Sequence, residues 1–412
     1  MESSAGIDFA KHYLLIFGVI LLSGTLSAFI AQKIRVPDVV IFLLAGILLG
    51  PQMTGWVDIR ADSAVNQLIL IFGSCYILFD GGASLRLKVL QQVWITIVVI
   101  STVGVIITGL ITGFAAHAIL GVPWIVALLL GATLASTDPA TLVPVFRQVK
   151  IKDRVAQTVM SESAFNDAMG AILTFAVLAV AMGKGAFSVQ SVLLGLIQQA
   201  LIGIVAGGVL GYLAVLLIAH ERYAFLAEYV PVVTLMAVIG AYLGADGLHA
   251  SGFMAVFVFG IMLGNKESFG FKADPGETEK FDDFVMTTSF IMRLFIFILL
   301  GAQVDFNLMR QYLGAGVLVV MIFMLVARPA TVFLCAGPDR RARWSLKELL
   351  FMCWTRETGV IPGALAGMLV GLNAPGAKMI ASVTFIAILM TILIQATTTR
   401  WLARKLGLLV ES

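Results

Sequence analysis

Met160-Ser-Glu-Ser-Ala-Phe-Asn-Asp-Ala-Met169 places two carboxylates, Glu162 and Asp167, inside a run that is otherwise long and apolar enough to cross a bilayer. A carboxylate at the centre of a spanning helix costs about 2.5–3.5 kcal/mol on insertion scales, so an acid kept there points to a task. On a helix, Ser163 and Asp167 are four residues apart and share a face. Glu162, five residues before Asp167, lies about 140° round the axis. The two acids therefore meet different surroundings, and one can act as a ligand while the other is neutralised by a partner elsewhere.

Outward from this stretch, the chain has the composition of an all-α polytopic membrane protein. Of its 412 residues 60% are apolar and 12% charged, and a mean hydropathy of +1.00 lies outside the soluble globular range. About thirteen apolar runs of spanning length lie between residues 12 and 402, the second and ninth unusually short. The run after Lys11 continues to about Phe29 without a small-residue cleavage site, so it reads as the first span and not as a removable leader. An odd number of spans puts the termini on opposite sides. With the N-terminus outside, 19 Lys and Arg fall inside and 5 outside, and Arg293, Arg328 and Arg356 within spans complete the 27. The positive-inside rule then makes the C-terminus cytoplasmic, in a cell (inner or plasma) membrane. Almost no cytosolic tail follows Lys405.

An internal repeat is legible. Residues 39–50 echo 253–264 at an offset of 214, and the next helices end in Leu78-Phe79-Asp80-Gly81 and Leu299-Leu300-Gly301-Ala302. Seven spans separate each of the first six helices from its counterpart, and an odd shift inverts topology. The expectation is two inverted six-helix repeats linked by helix seven. Helices five and twelve then correspond, and both carry breakers: Ser136-Thr137-Asp138-Pro139 with Pro144, and Thr355-Arg356-Glu357-Thr358-Gly359 with Pro362. Proline removes a backbone donor, and irregular backbone at membrane depth survives only in protein or against a watery cavity. Paired discontinuous helices mark a transporter's binding site.

Taken together, Ala135-Ser136-Thr137-Asp138-Pro139, Glu162-Ser163-Ala164-Phe165-Asn166-Asp167, Ser251-Gly252-Phe253-Met254-Ala255-Val256, Phe79-Asp80-Gly81-Gly82 and Ala327-Arg328-Pro329 resemble the cation/proton antiporter-1 family. These are bacterial and archaeal monovalent cation:proton antiporters, relatives of the animal sodium/proton exchangers, and the likeness covers nearly the whole chain. It implies the NhaA-like antiporter fold, with crossed helices five and twelve beside helix six. Asp167 would carry Na⁺ (or K⁺ or Li⁺) and H⁺ in turn, Thr137, Asp138, Ser163 and Asn166 would lie at the site, and Glu162 would form a structural ion pair with Arg328. It also implies a homodimer. Helices one to three (residues 1–91) and seven to ten (189–310) would form a scaffold, and helices four to six (92–188) and eleven to thirteen (311–412) the ion-carrying core.

If Asp167 is the sole exchanging acid, its proton-bound and cation-bound forms carry equal charge and exchange is 1:1 and electroneutral. Asn166 stands where the electrogenic branch of the fold has a second aspartate. Helix twelve departs from the family's Gly-Leu-Arg-Gly: Arg356 can take the arginine's place, and Glu357 either pairs locally with it or titrates. Arg293 either lines a funnel or snorkels to the interface. Asp80 either attracts cations at a cavity mouth or caps the interface. Alternatives are K⁺/H⁺ exchange for volume or pH control, a sodium-coupled symporter of the bile-acid type, and a gated channel. No His-Glu-x-x-His helix, Gly-x-Ser-x-Gly elbow or phosphate loop is present, which leaves enzymatic and ATP-driven readings unsupported. No cofactor or nucleic-acid partner is expected. Cys75, Cys335 and Cys353 read as inert core residues, and Lys266 to Asp283 as a solvated connector.

Overall fold

In lipid a backbone must satisfy its N–H and C=O groups within its own segment, so each long apolar run of this chain becomes helix. The computed structural model describes residues 2–34, 36–137, 151–183, 189–219, 226–271 and 275–409. The helices are α1 (Glu2–Ile34), α2 (Asp38–Leu49), α3 (Ala64–Ala83) and α4, which runs Leu87–Val99 and Val105–Leu120 around a π-helical turn at Ile100–Gly104. Next come α5 (Trp124–Ala135), α6 (Asp153–Ala181), α7 (Val189–Ala219), α8 (Val230–Gly247), α9 (Gly252–Gly264) and α10 (Pro275–Ala302). α11 runs Phe306–Ile322 and Arg328–Cys335 around a π turn at Phe323–Ala327; α12a is Leu346–Trp354 and α12b Val360–Gly371. α13 runs Ala377–Met390 and Thr397–Leu406 around a π turn at Thr391–Ala396.

Among the described residues nine helices are long and apolar enough to cross a membrane, and α2, α5, α9 and α12b are shorter apolar helices. The most apolar stretch of α1 is only 28% buried, against 61% in α6 and 67% in α13. α6 and α13 are therefore central, while α1 turns side chains such as Leu14 and Phe29 outward. The three cysteines are free and buried.

Glycines set the closest helix crossings, because without a hydrophobic force between helices in lipid the backbones themselves must approach. A Cβ on Gly46 of α2 would lie 2.2 Å from the Ile298 carbonyl of α10, and one on Gly301 of α10 2.3 Å from the Leu43 carbonyl. The same contact recurs between α9 and α3, where a Cβ on Gly260 would lie 2.3 Å from the Phe79 carbonyl and one on Gly82 2.3 Å from the Phe257 carbonyl. An offset of 214 carries Leu43 and Gly46 onto Phe257 and Gly260, and an offset of 219 carries Phe79 and Gly82 onto Ile298 and Gly301. The two crossings are copies of one contact, exchanged between the repeats. This corrects the sequence register of the following helices: Phe79 matches Ile298 and not Leu300, because the partner's glycine fixes the alignment where Leu-rich helix ends cannot.

Gly46→Ala and Gly260→Ala are accordingly expected to destabilise the protein by similar amounts, about 1–3 kcal/mol each, by overpacking. Thermal unfolding of the purified variants in detergent measures this. A large shift for one and none for the other would refute the equivalence.

A second correction concerns the stretch from Lys266 to Asp283. α10 begins at Pro275, so Glu277, Glu279, Lys280, Asp282 and Asp283 lie on its first turns. Polar residues there extend the helix beyond its apolar part, which hydropathy alone cannot register.

Candidate functional site

Two helices stop inside the bundle. α5 ends at Ala135, and Ser136 is extended, with φ −70° and ψ 150°. Thr137 is the last described residue before 138–150, so Asp138 lies outside the described residues. On the other side, residues 355–359 are unwound between α12a and α12b. Trp354 Nε1 donates to Thr398 Oγ1 at 2.8 Å and Thr358 N–H to Thr391 Oγ1 at 3.0 Å. The break is thereby pinned to α13 at both ends. Gln395 lies on α13 between these two clamps and is buried.

α6 passes the end of α5. Asp167 Oδ1 accepts from Ser136 Oγ at 2.5 Å and from Thr137 N–H at 3.0 Å. The N–H that helical geometry would have used is thus given to a carboxylate. Ser163, one turn earlier on α6, donates to Thr137 Oγ1 at 2.9 Å, and Asn166 Nδ2 reaches the same oxygen at 3.5 Å. Asn166 Nδ2 also donates to Glu162 Oε1 at 3.1 Å, while its Oδ1 is buried with no hydrogen-bond partner among the described residues. Ser136, Thr137, Ser163, Asn166 and Asp167 are all buried. They form one cluster of carboxylate, hydroxyl and amide oxygens, a donor set that suits a hard cation and excludes a soft one.

Glu162 faces α11. Its carboxylate takes both arms of the Arg328 guanidinium, Nη1 to Oε1 and Nη2 to Oε2, the latter at 2.9 Å. Arg328 Nε donates to the Met352 carbonyl at 2.9 Å. Both side chains are buried, so each charge is neutralised by a forked pair. Glu162 and Asp167 thus face different sides of α6 and are handled in opposite ways.

Arg356 in the break of α12 donates to the Ala135 carbonyl at 2.5 Å and to Thr108 Oγ1 at 3.0 Å, with its guanidinium 5.1 Å from the centre of the Phe323 ring. It does not turn to its neighbour Glu357 for these bonds. A cation at the C-terminal carbonyl of α5 complements the helix dipole and ties the two broken helices together. Glu357 is fully buried in the break. Thr108 and Thr331 share a hydrogen bond of 2.8 Å. An offset of 223 relates these two residues and also the π turns of α4 and α11, so equivalent residues of the two repeats touch each other here.

Asp80 lies near the end of α3, half-buried. A Cβ on the adjacent Gly81 would stand 3.5 Å from that of Ala164, so this end of α3 packs against α6 at Ala164. Arg293 is not drawn into this cluster; its guanidinium lies 6.0 Å from the Phe290 ring on its own helix. The bond from Ser136 to Asp167 has no periodic signal in the sequence. A hydroxyl directly before Thr137 at a helix-breaking motif is the one hint. Nothing in the sequence announces the target of Arg356.

A family profile described as sodium/hydrogen exchanger, transmembrane, matches residues 18–405. The chain is 34% identical to Na⁺/H⁺ antiporter 1 of Methanocaldococcus jannaschii, with 94% of each chain covered. It is 29% identical to the K⁺/H⁺ antiporter NhaP of Alkalimonas amylolytica, over 96% of this chain and 67% of that protein. The solved structure of the sodium proton antiporter MjNhaP1 from Methanocaldococcus jannaschii at pH 8 superposes with a TM-score of 0.85 at 32% identity, covering 98% of this chain and 99% of that one. A profile matched over nearly the whole length, a broken-helix site and a shared fold agree: the chain belongs to the sodium/hydrogen exchanger family of membrane antiporters.

Proposed function

We propose that this chain exchanges Na⁺, K⁺ or Li⁺ for H⁺ across the cell membrane, one for one and without net charge movement, with Asp167 as the shared carrier. The observation that carries the reading is the environment of Asp167, a buried carboxylate held by Ser136 Oγ and Thr137 N–H at the end of a broken helix. The neighbouring acid, Glu162, is committed to Arg328. Thr137, Ser163, Asn166 and Asp138 complete the cation's oxygen shell. Asn166 is neutral and donates to Glu162, which supports a single exchanging acid in α6.

Alternating access follows from two bodies. α4–α6 and α11–α13 (residues 92–188 and 311–412) move as a core against α1–α3 and α7–α10 (1–91 and 189–310), with the N-terminus outside and the C-terminus in the cytoplasm. The tight α2/α10 and α3/α9 crossings support this division, since they join scaffold helices to each other. Two copies associate through the scaffold as a homodimer, for which the outward apolar face of α1 provides a surface. An ionised, unloaded Asp167 would be penalised on crossing, so only its loaded forms cross and leak is suppressed.

Relatives bear both Na⁺/H⁺ and K⁺/H⁺ names, so selectivity is read by assay. In proteoliposomes containing a pH dye, adding the transported cation outside is expected to drive protons out, at a rate unchanged by an imposed membrane potential. A second exchanging acid would couple the cycle to voltage at roughly 2.3 kcal/mol per charge per 100 mV. Voltage-dependent exchange would overturn electroneutrality, and the absence of cation-driven proton flux would overturn antiport.

A further inference from the structure

The end of the bundle where α11 turns into α12a and α13 finishes carries a surface that the ion site does not use. The turn after α11, α12a and the last turns of α13 meet on one apolar cluster. Ile151, Val155, Phe351, Ala403 and Leu408 form its centre, with Trp344, Leu402 and Leu406 packed against it. On this base stand Arg340, Arg341, Arg343, Lys347, Arg400, Arg404 and Lys405, all exposed.

The acids described in the same stretch, residues 337–409, are Asp339, Glu348 and Glu357, and all three are buried; the exposed acid described beside this base is Asp153, between Ile151 and Val155, with the exposed Lys152 next to it. Asp339 accepts from Thr96 Oγ1 at 2.5 Å and from the backbone N–H groups of Arg341 and Ala342. Burial opposes its ionisation, but these hydrogen bonds prevail and hold its carboxyl below the usual carboxylate range. Glu348 caps α12a and receives Arg154 Nη2 at 3.1 Å. Three acids are spent inside, and the cations of both segments face outward together with Asp153 as the one exposed acid described beside them. Beside them Leu346 (63% exposed) and Trp401 (60%) present apolar area, and Lys405 Nζ lies 4.9 Å from the Trp401 ring.

A solvated face intersperses both signs of charge. Topology alone calls for cations on one side of a membrane, but it does not call for so large an excess of exposed cations over exposed acids on one face, or for two distant segments to converge on one base. Cations standing beside exposed apolar side chains match an amphiphile whose phosphate sits above acyl chains. We propose that this surface binds anionic phospholipid headgroups, with arginines from both segments on the phosphate and Trp401 and Leu346 against the acyl chains. Arginine suits this task because its planar fork bonds two phosphate oxygens at once. The site lies on the helices that carry the α12 break and the α13 π turn, and it is independent of which cation is exchanged.

The test uses the full chain, delipidated in detergent, titrated with fluorescent phosphatidylglycerol or phosphatidylcholine and followed by anisotropy. Phosphatidylglycerol is expected to bind at least about tenfold more tightly, and the preference is expected to collapse at about 0.5 M NaCl through screening. Replacing Arg340, Arg341, Arg343, Arg400 and Arg404 together by Gln is expected to abolish the preference, while lysine at the same five positions retains it in part. Arg310→Gln, which removes an exposed cation at the opposite end of α11, leaves it intact. Three results would overturn the assignment: equal binding of both lipids by the unmodified chain, an undiminished preference in a monodisperse glutamine variant, or displacement of phosphatidylglycerol by millimolar inorganic phosphate. The salt arm needs no variant, so a glutamine form that fails to fold leaves the proposal open to refutation.

Discussion

Asp167→Asn is expected to reduce cation-driven proton flux to the level of empty liposomes while leaving the protein folded. Both halves of this result follow from the same bonds. Asp167 accepts, and its two described donors are a hydroxyl and a backbone N–H. An asparagine carbonyl can accept from both, so the end of α5 keeps its cap and thermal unfolding in cation-free buffer should shift by no more than a few degrees. What asparagine cannot do is give up a proton or balance the charge of a metal ion. The variant resembles the proton-loaded carrier permanently, and such a carrier exchanges nothing. A second readout separates loss of binding from loss of movement. Na⁺ at a hundred times its dissociation constant stabilises a binding-competent protein by about 2.7 kcal/mol, so the unmodified chain gains melting temperature with Na⁺ and the variant does not. Because proton and cation compete for one group, the apparent KM for the cation in the unmodified chain rises as pH falls. Normal exchange by Asp167→Asn would remove Asp167 from its proposed role.

How much of this was legible in the sequence follows from what one-dimensional patterns can carry. Hydropathy located the spans, and the breakers of helices five and twelve marked the places where α5 stops and α12 unwinds. The family resemblance implied Arg328 as the partner of Glu162 before any distance was known, and the reading agreed with helix geometry, which turns Glu162 away from Asp167 and leaves it needing a cation from another span. Contacts that depend on close packing were not readable. Arg356 and Ala135 are 221 residues apart, and no periodicity points an arginine at a carbonyl. The glycine crossings show the same limit from the other side. The motif 39–50 announced its repeat at 253–264, yet the register of the following helices emerged only when Gly46 met Ile298 and Gly260 met Phe79.

Glu162 presents the opposite expectation to Asp167, since substitution there is expected to destroy the fold and with it all activity. Arg328 is 1% exposed and makes three described hydrogen bonds, two to Glu162 and one to the Met352 carbonyl. Glu162→Gln leaves the guanidinium charge buried against a neutral amide. Gln can offer its carbonyl to only one of the guanidinium arms, and its NH₂ must then face the other arm or the Asn166 amide, which donates to the same carboxylate. Removing one member of a buried ion pair costs about 3–5 kcal/mol, because the other charge is left uncompensated. Glu162→Gln and Arg328→Met should each lower the unfolding temperature steeply and yield little monodisperse protein. The double variant Glu162→Gln/Arg328→Met buries no net charge, and replacing both partners of such a pair is often neutral. It is expected to recover most of the stability lost by either single change, giving a coupling energy well above the 0.5 kcal/mol or so by which independent sites deviate from additivity. Arg328→Lys keeps the charge but loses the fork and should fall between. If the double variant were as unstable as the sum of the two singles, the pair would not act as a unit. The stability of this region would then have to come from the separate contacts of each side chain, chiefly the bond from Arg328 to Met352.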